Sequence, residues 1–283
     1  MQELLEIIEE TVLDSIKLLP FLFVTYLIME YIEHKTTDKV KSAIKKSGKF
    51  GPIIGAIVGI FPQCGFSVSA TNLYAAKVIT MGTLISVYLA TSDEMLPIML
   101  TESVPITTIL IILGIKLIIG IIAGMIIDFI LRKIKKEEVE EQIEELCEKN
   151  HCHCEEGIVK SAAKHAINIL IFIAVVTFII NIGINIIGKD VIAGFMSQNF
   201  ILGPIVAGII GLIPNCASSV ILTELFIEKI ITMPVLISGV AVNAGVGLIV
   251  LFKTNKNIKE NIKIVSLLYI IGVISGLILE IIL

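Results

Sequence analysis

Two stretches decide how the chain folds: GPIIGAIVGIFPQCGFSVSATNLYAAKVITMGTLIS at 51–86 and GPIVAGIIGLIPNCASSVILTELFIEKIITMPVLIS at 203–238. Laid over one another at an offset of 152 residues, they agree at 18 of 36 positions without a gap. The same offset runs outward, setting Thr25 against Thr177, Gly120 against Gly272, Gly124 against Gly276 and Asp128 against Glu280. One unit is therefore used twice, as a first repeat over 1–131 and a second over 158–283, with a charged segment at 132–157 between them.

The solvent for most of this chain is lipid. Of its 283 residues 55% are hydrophobic and its mean hydropathy is +0.95, beyond what a soluble domain with a polar surface carries. A bilayer core requires roughly 20 predominantly apolar residues per helix, and runs of that kind lie at 12–32, 106–131, 167–187 and 264–283. The regions 50–99 and 202–251 are also apolar but are interrupted by Pro, Gly, Cys, Asn and acidic residues. The expected fold is an all-α polytopic membrane protein. The acidic start MQELLEIIEE lacks the basic region of a cleaved signal peptide, so the first span is expected to direct insertion. With a net charge of −4 and no basic patch interleaved with aromatics, nucleic acid is not an expected partner. Five cysteines in such a chain do not suggest a disulfide framework.

Orientation follows from the lysines in short loops, which stay in the cytoplasm. Lys35, Lys39, Lys41, Lys45, Lys46 and Lys49 crowd one loop of the first repeat, whereas its counterpart at 188–198 holds only Lys189. The next loop reverses the bias: 101–107 has no lysine, while 253–263 carries Lys253, Lys256, Lys259 and Lys263. The two repeats are thus expected to have inverted topology, each crossing an odd number of times. The basic run Arg132, Lys133, Lys135, Lys136 places the joining segment in the cytoplasm and both termini outside. Inverted repeats are the architecture of secondary transporters, with the substrate near the midplane between broken helices.

Each repeat is interrupted at the same place, by Pro62-Gln63-Cys64-Gly65-Phe66-Ser67 and by Pro214-Asn215-Cys216-Ala217-Ser218-Ser219. Proline and small polar residues there leave backbone groups that must face protein, water or a ligand. The bland alternative is a proline kink satisfied by neighbouring helices; symmetric recurrence with an amide and a thiol favours a substrate or ion site. Gln63, Asn215, Ser67, Ser218 and Ser219 would offer oxygen, and Cys64 and Cys216 soft sulfur.

The second interruption is asymmetric. Thr91-Ser92-Asp93-Glu94 in the first repeat faces Asn243-Ala244-Gly245-Val246 in the second. Two adjacent carboxylates inside a span are costly, about 2 to 4 kcal/mol each, so they require a partner or a task. A surface loop is the bland reading; a cation or proton site is the favoured one, since hard cations take carboxylate, amide and carbonyl oxygens. Asp93 and Glu94 are the candidate metal ligands of the transport site, with Asn243 beside them. Lys116, ten residues into a span, is the candidate charge or coupling partner. In the joining segment, Cys147, His151, Cys152, His153 and Cys154 form a Cys/His tract of the kind that binds metal; the spacing fits no closed zinc module, and a solvated linker with reduced thiols is the alternative.

With GIFPQCGFS, LATSDEMLPI, GLIPNCASS and HCHCEEG in place, the sequence resembles the ten-transmembrane heavy-metal exporter family, whose members carry labels such as arsenic efflux protein or manganese transporter. The resemblance covers essentially the whole chain. It implies about five hydrophobic helical segments per repeat, with broken helices at the midplane, and export of a metal or metalloid from the cytoplasm.

The expected function is secondary transport by alternating access in the cytoplasmic (inner) membrane of a prokaryote. No Gly-rich loop followed by Lys-Ser or Lys-Thr is present, so coupling to a proton or sodium gradient is expected in place of ATP. No cofactor is expected. The partners are the lipid bilayer and the transported ion, with a homo-oligomer left open. Asp93, Glu94, Asn215, Asn243 and Gln63 suit manganese; Cys64 and Cys216 suit a soft metal or arsenite. The alternative is a sodium-coupled carrier of a small anion, assisted by Lys116. An intramembrane enzyme is not expected, because His34, His151, His153 and His165 all fall at cytoplasmic ends and no protease constellation is present. A segment of 26 residues at 132–157 is too short for a sensor's output domain.

Overall fold

The computed structural model describes residues 50–62, 64–134 and 201–283, together with single positions within 16–27 and 159–179, all of them helical; the side chains of Cys64 and of 132–134 lie outside it. Every regular element among the described residues is a helix. In chain order these are α1 (Gly51–Gly59), α2 (Cys64–Ala75), α3 (Met81–Ala90), α4 (Met95–Thr101), α5 (Ile106–Ile134), α6 (Leu202–Gly211), α7 (Cys216–Ile227), α8 (Met233–Val242), α9 (Gly247–Thr254) and α10 (Ile258–Ile282).

The same local chemistry sets equivalent boundaries. Thr80 and Thr232 cap α3 and α8, each side chain accepting the backbone N–H three residues on, which satisfies one of the orphan donors of a helix start. At the other end, α2 and α7 stop at Lys77 and Lys229, with φ of 59° and 61°. There Val78 N–H bonds Leu73 O at 2.8 Å and Ile230 N–H bonds Leu225 O at 2.9 Å, the six-to-one closure of a left-handed cap.

Tertiary ties repeat as well. Thr80 donates its hydroxyl to Asp128 Oδ2 at 2.7 Å and Thr232 donates to Glu280 Oε1 at 2.5 Å. Ser86 bonds Pro52 O at 2.5 Å and Ser238 bonds Pro204 O at 2.7 Å. These ties seat α3 between α1 and α5, and α8 between α6 and α10. Gly51 lies against Thr83, and Gly59 against Val87 and Ala90, so α1 runs alongside α3 in the same direction. Because 76–80 links the end of α2 to the start of α3, both ends of the α1–α2 pair lie at one end of α3: the pair is a hairpin with 60–62 at its tip. Likewise Pro204 near the start of α6 and Pro234 near the start of α8 both approach Gly276, and α6–α7 forms a second hairpin.

The halves are interleaved. α2 packs on α9 and α7 packs on α4, while α3 and α8 meet at the centre. One apolar cluster joins Leu84, Ile85 and Tyr88 of α3 to Leu248 and Leu251 of α9 and Ile264 and Leu268 of α10. The other joins Met95 and Met99 of α4 to Leu222 and Leu225 of α7 and Leu236 and Ile237 of α8. Neither half buries its apolar surface alone. Outward, α5 exposes Leu110, Ile118, Ile122 and Phe129, and α10 exposes Ile262, Ile270 and Ile274, an amount of apolar surface that water does not tolerate and lipid accepts. Among the described residues, 106–131, 233–254 and 258–282 are long and apolar enough to cross a membrane.

One boundary differs from the sequence reading. The last long helix begins at Ile258, so Lys259 and Lys263 sit on α10 and not in a loop; Asn257 caps it by accepting the Glu260 N–H.

Candidate functional site

Both interruptions fall where the halves meet. The hairpin tips leave 60–62 and 212–215 outside helices, and α3 and α8 stop before 91–94 and 243–246. At the first of the latter pair, Thr91, Ser92 and Asp93 are buried. Ser92 donates to Ile60 O at 2.5 Å, which joins this interruption to the tip of the α1–α2 hairpin. Thr91 donates to Val87 O at 2.7 Å and leaves its own carbonyl to Lys116.

Lys116 is fully buried. Its ammonium donates to Thr91 O in the first half and to Val240 O in the second, the latter at 2.8 Å, and it lies in the electrostatic field of Asp93. A charge this deep is retained only with such partners. The repeat counterpart of Lys116 is Leu268, so the charge belongs to one half alone. Glu94 is half-buried and precedes α4 without capping it.

At the second interruption, Asn243 Oδ1 accepts the Gly245 N–H at 2.7 Å. One lone pair of the oxygen that the sequence offers to a cation is thereby engaged, and the buried Nδ2 has no hydrogen-bond partner among the described residues. Beyond it, α9 starts against α2: a Cβ on Gly247 would meet Ser67 Cβ at 3.1 Å and Tyr88 Cε1 at 3.2 Å. Gly247 O accepts from Thr71 Oγ1 and from Tyr88 OH, both at 3.3 Å, while those two hydroxyls are 2.5 Å apart.

Asn215, Cys216, Ser218 and Ser219 are buried at the start of α7. Ser218 donates to Asn215 O and Ser219 to Cys216 O, both at 2.8 Å, so these hydroxyls serve the helix start. Cys216 forms no disulfide. What brings this group toward the first interruption is α7 lying on α4, which follows Glu94 directly. Among the described residues, no three of His, Cys, Asp and Glu come together as a metal cluster. Gln63, the Cys64 side chain, and Cys147, His151, Cys152, His153 and Cys154 lie outside the described residues.

Sequence reasoning missed Thr71 and Tyr88, both fully buried. A signal for Thr71 existed, since Thr223 repeats it and both bond the carbonyl four residues back, Ser67 O and Ser219 O, at 2.7 Å. Tyr88 had none, because Val240 takes its place in the second repeat.

No curated protein and no solved structure matches the chain. A family profile matches residues 3–189, which include the first repeat, the joining segment and the start of the second repeat. The chain belongs to the family described as "Putative, 10TM heavy-metal exporter".

Proposed function

We propose that the chain is a secondary transporter that exports a divalent metal cation, manganese first, or the metalloid arsenite, by alternating access of two inverted halves coupled to a proton or sodium gradient. The observation that carries this reading is the exchange of hairpins: α2 lies on α9 and α7 on α4, beside the two interruptions. A substrate held there would be exposed to one side or the other as one half moves on its neighbour. The outward apolar faces of α5 and α10 put the assembly in a bilayer. Lysine placement puts the α9–α10 turn and the joining segment in the cytoplasm, and both termini outside.

Asp93 is the centre of the proposed cation site, with Thr91, Ser92 and Glu94 around it and Lys116 as its resident counter-charge. Buried Asn215 and Cys216 would complete the site from the second half. Lys116 also favours a second reading, a sodium-coupled anion carrier, because a buried ammonium and the Asn243 amide nitrogen are donors.

Uptake of manganese, zinc, cobalt and arsenite into inside-out vesicles holding the purified protein separates these readings. Manganese flux lost in Asp93→Asn and kept in Cys64→Ser with Cys216→Ser supports the divalent cation. Arsenite flux lost with the thiols supports the metalloid. Absence of all four fluxes overturns the exporter reading and leaves the anion carrier.

A further inference from the structure

At the junction of α2 with the α9–α10 turn the repeat breaks down. Tyr74, near the end of α2, donates its hydroxyl to Glu260 Oε1 at 2.5 Å. Lys77, in the left-handed cap of α2, stands 3.7 Å from Glu260 Oε2 and 5.5 Å from the centre of the Tyr74 ring. Glu260 is held in turn: the Asn255 amide donates to Oε2 at 3.2 Å, and the Glu260 N–H bonds Asn257 Oδ1 at 3.3 Å. Asn261 fixes the turn from below, donating to Asn255 O at 2.9 Å and accepting the Asn255 amide at 2.8 Å.

Among the described residues, the equivalent place in the other half, where α7 meets the α4–α5 turn, does not repeat this group. Tyr74 is replaced by Phe226, Glu260 by Thr108, Asn255 by Ser103 and Asn261 by Ile109; only Lys77 is kept, as Lys229. Phe226 and Ile109 belong to one apolar cluster there. Two seams related by the repeat are thus closed differently among the described residues, one through a charged hydrogen-bond group and one through an apolar cluster. The polar seam continues inward through Thr71, Tyr88 and Gly247 O, where the second half has Thr223, Val240 and Met95.

We propose that Tyr74, Lys77 and Glu260 form a latch that holds the α1–α2 hairpin shut against the opposite half on one face only, making the state with the α2–α9 seam closed the resting conformation. By the lysine placement this face is the cytoplasmic one. The role of the latch as a gate rests on the transporter reading; its existence as a one-sided clasp does not. The group is half-buried, which suits a reversible clasp: Glu260 keeps 21% of its side-chain surface and Lys77 keeps 42%. A hydrogen bond to a charged group of this kind weights an equilibrium by roughly tenfold or more, enough to choose between two conformers without freezing either.

Backbone hydrogen exchange, read by mass spectrometry on the full chain in lipid nanodiscs, tests this without any substrate. Tyr74→Phe and Glu260→Ala are expected to speed exchange by about tenfold over 64–75 and 247–257, with 95–101 and 216–227 unchanged. The paired substitution Phe226→Tyr with Thr108→Glu rebuilds the clasp on the opposite seam and is expected to slow exchange over 95–101 and 216–227. Unchanged exchange in both removal variants, or a uniform rise along the whole chain, overturns the latch. If the latch behaves as expected and no candidate ion is carried, the transporter reading fails and the clasp stands.

Discussion

Asp93 and Gly245 occupy the same position of the repeat, and both hold a positive φ, 29° and 53°. The backbone turns the same way after α3 and after α8, but only Gly245 is a residue for which that conformation costs little. In the first half an aspartate accepts the strain, and its side chain is buried. Strain of this sort persists where a side chain is required for function.

The pair predicts opposite responses. Gly245→Ala should lower stability by about 1 to 2 kcal/mol, the penalty for a side chain in the left-handed region. Asp93→Gly should relax the backbone while abolishing cation flux. Chemical unfolding in detergent alongside vesicle uptake checks both, and a stable, active Gly245→Ala protein would contradict the argument.

Asp128 and Glu280 also share a repeat position but not an environment. Asp128 is buried, accepting Gly82 N–H at 2.9 Å as well as the Thr80 hydroxyl, whereas the Glu280 contact to Thr232 is exposed. Removing a buried acceptor strands its donors, so Asp128→Ala should cost about 2 to 3 kcal/mol. Glu280→Ala should cost distinctly less. Equal losses in thermal unfolding would mean that burial does not set the difference.

Lys116 and Asp93 should behave as one unit. Lys116→Met removes the cation that interacts with Asp93 and frees the carbonyls of Thr91 and Val240, a loss on the order of 3 to 5 kcal/mol. Adding Asp93→Asn removes the carboxylate charge and should recover part of that loss. A double-mutant cycle measures the coupling; strictly additive single effects would place the two charges in separate environments.

Most of the architecture was legible because it is written twice. The 152-residue offset aligned Asp128 with Glu280 before either was known to tie α3 or α8 to a long helix. The prolines at 62 and 214 fall between α1 and α2 and between α6 and α7, and the acidic pair at 93 and 94 falls between α3 and α4. Departures from the repeat carried less signal. Lys116 was visible as a charge in a span, but its Val240 acceptor lies in the other half and is a backbone atom, which no side-chain pattern reveals. Asn243 was read as an oxygen ligand, and the Gly245 N–H that takes one lone pair of that oxygen is a backbone group that carries no side-chain signal. Tyr74 and Glu260 are 186 residues apart, and neither has an equivalent in the other repeat. Their meeting follows only from α2 lying on α9.

The central claim is that the interruption at 91–94 holds the transported cation through Asp93. Equilibrium binding of manganese to the purified full chain, followed by the electron paramagnetic resonance of the unbound ion, tests it most directly on wild type, Asp93→Asn and Cys216→Ser. The account predicts saturable binding that disappears in Asp93→Asn and survives in Cys216→Ser. Binding by Asp93→Asn equal to that of the wild type would contradict it.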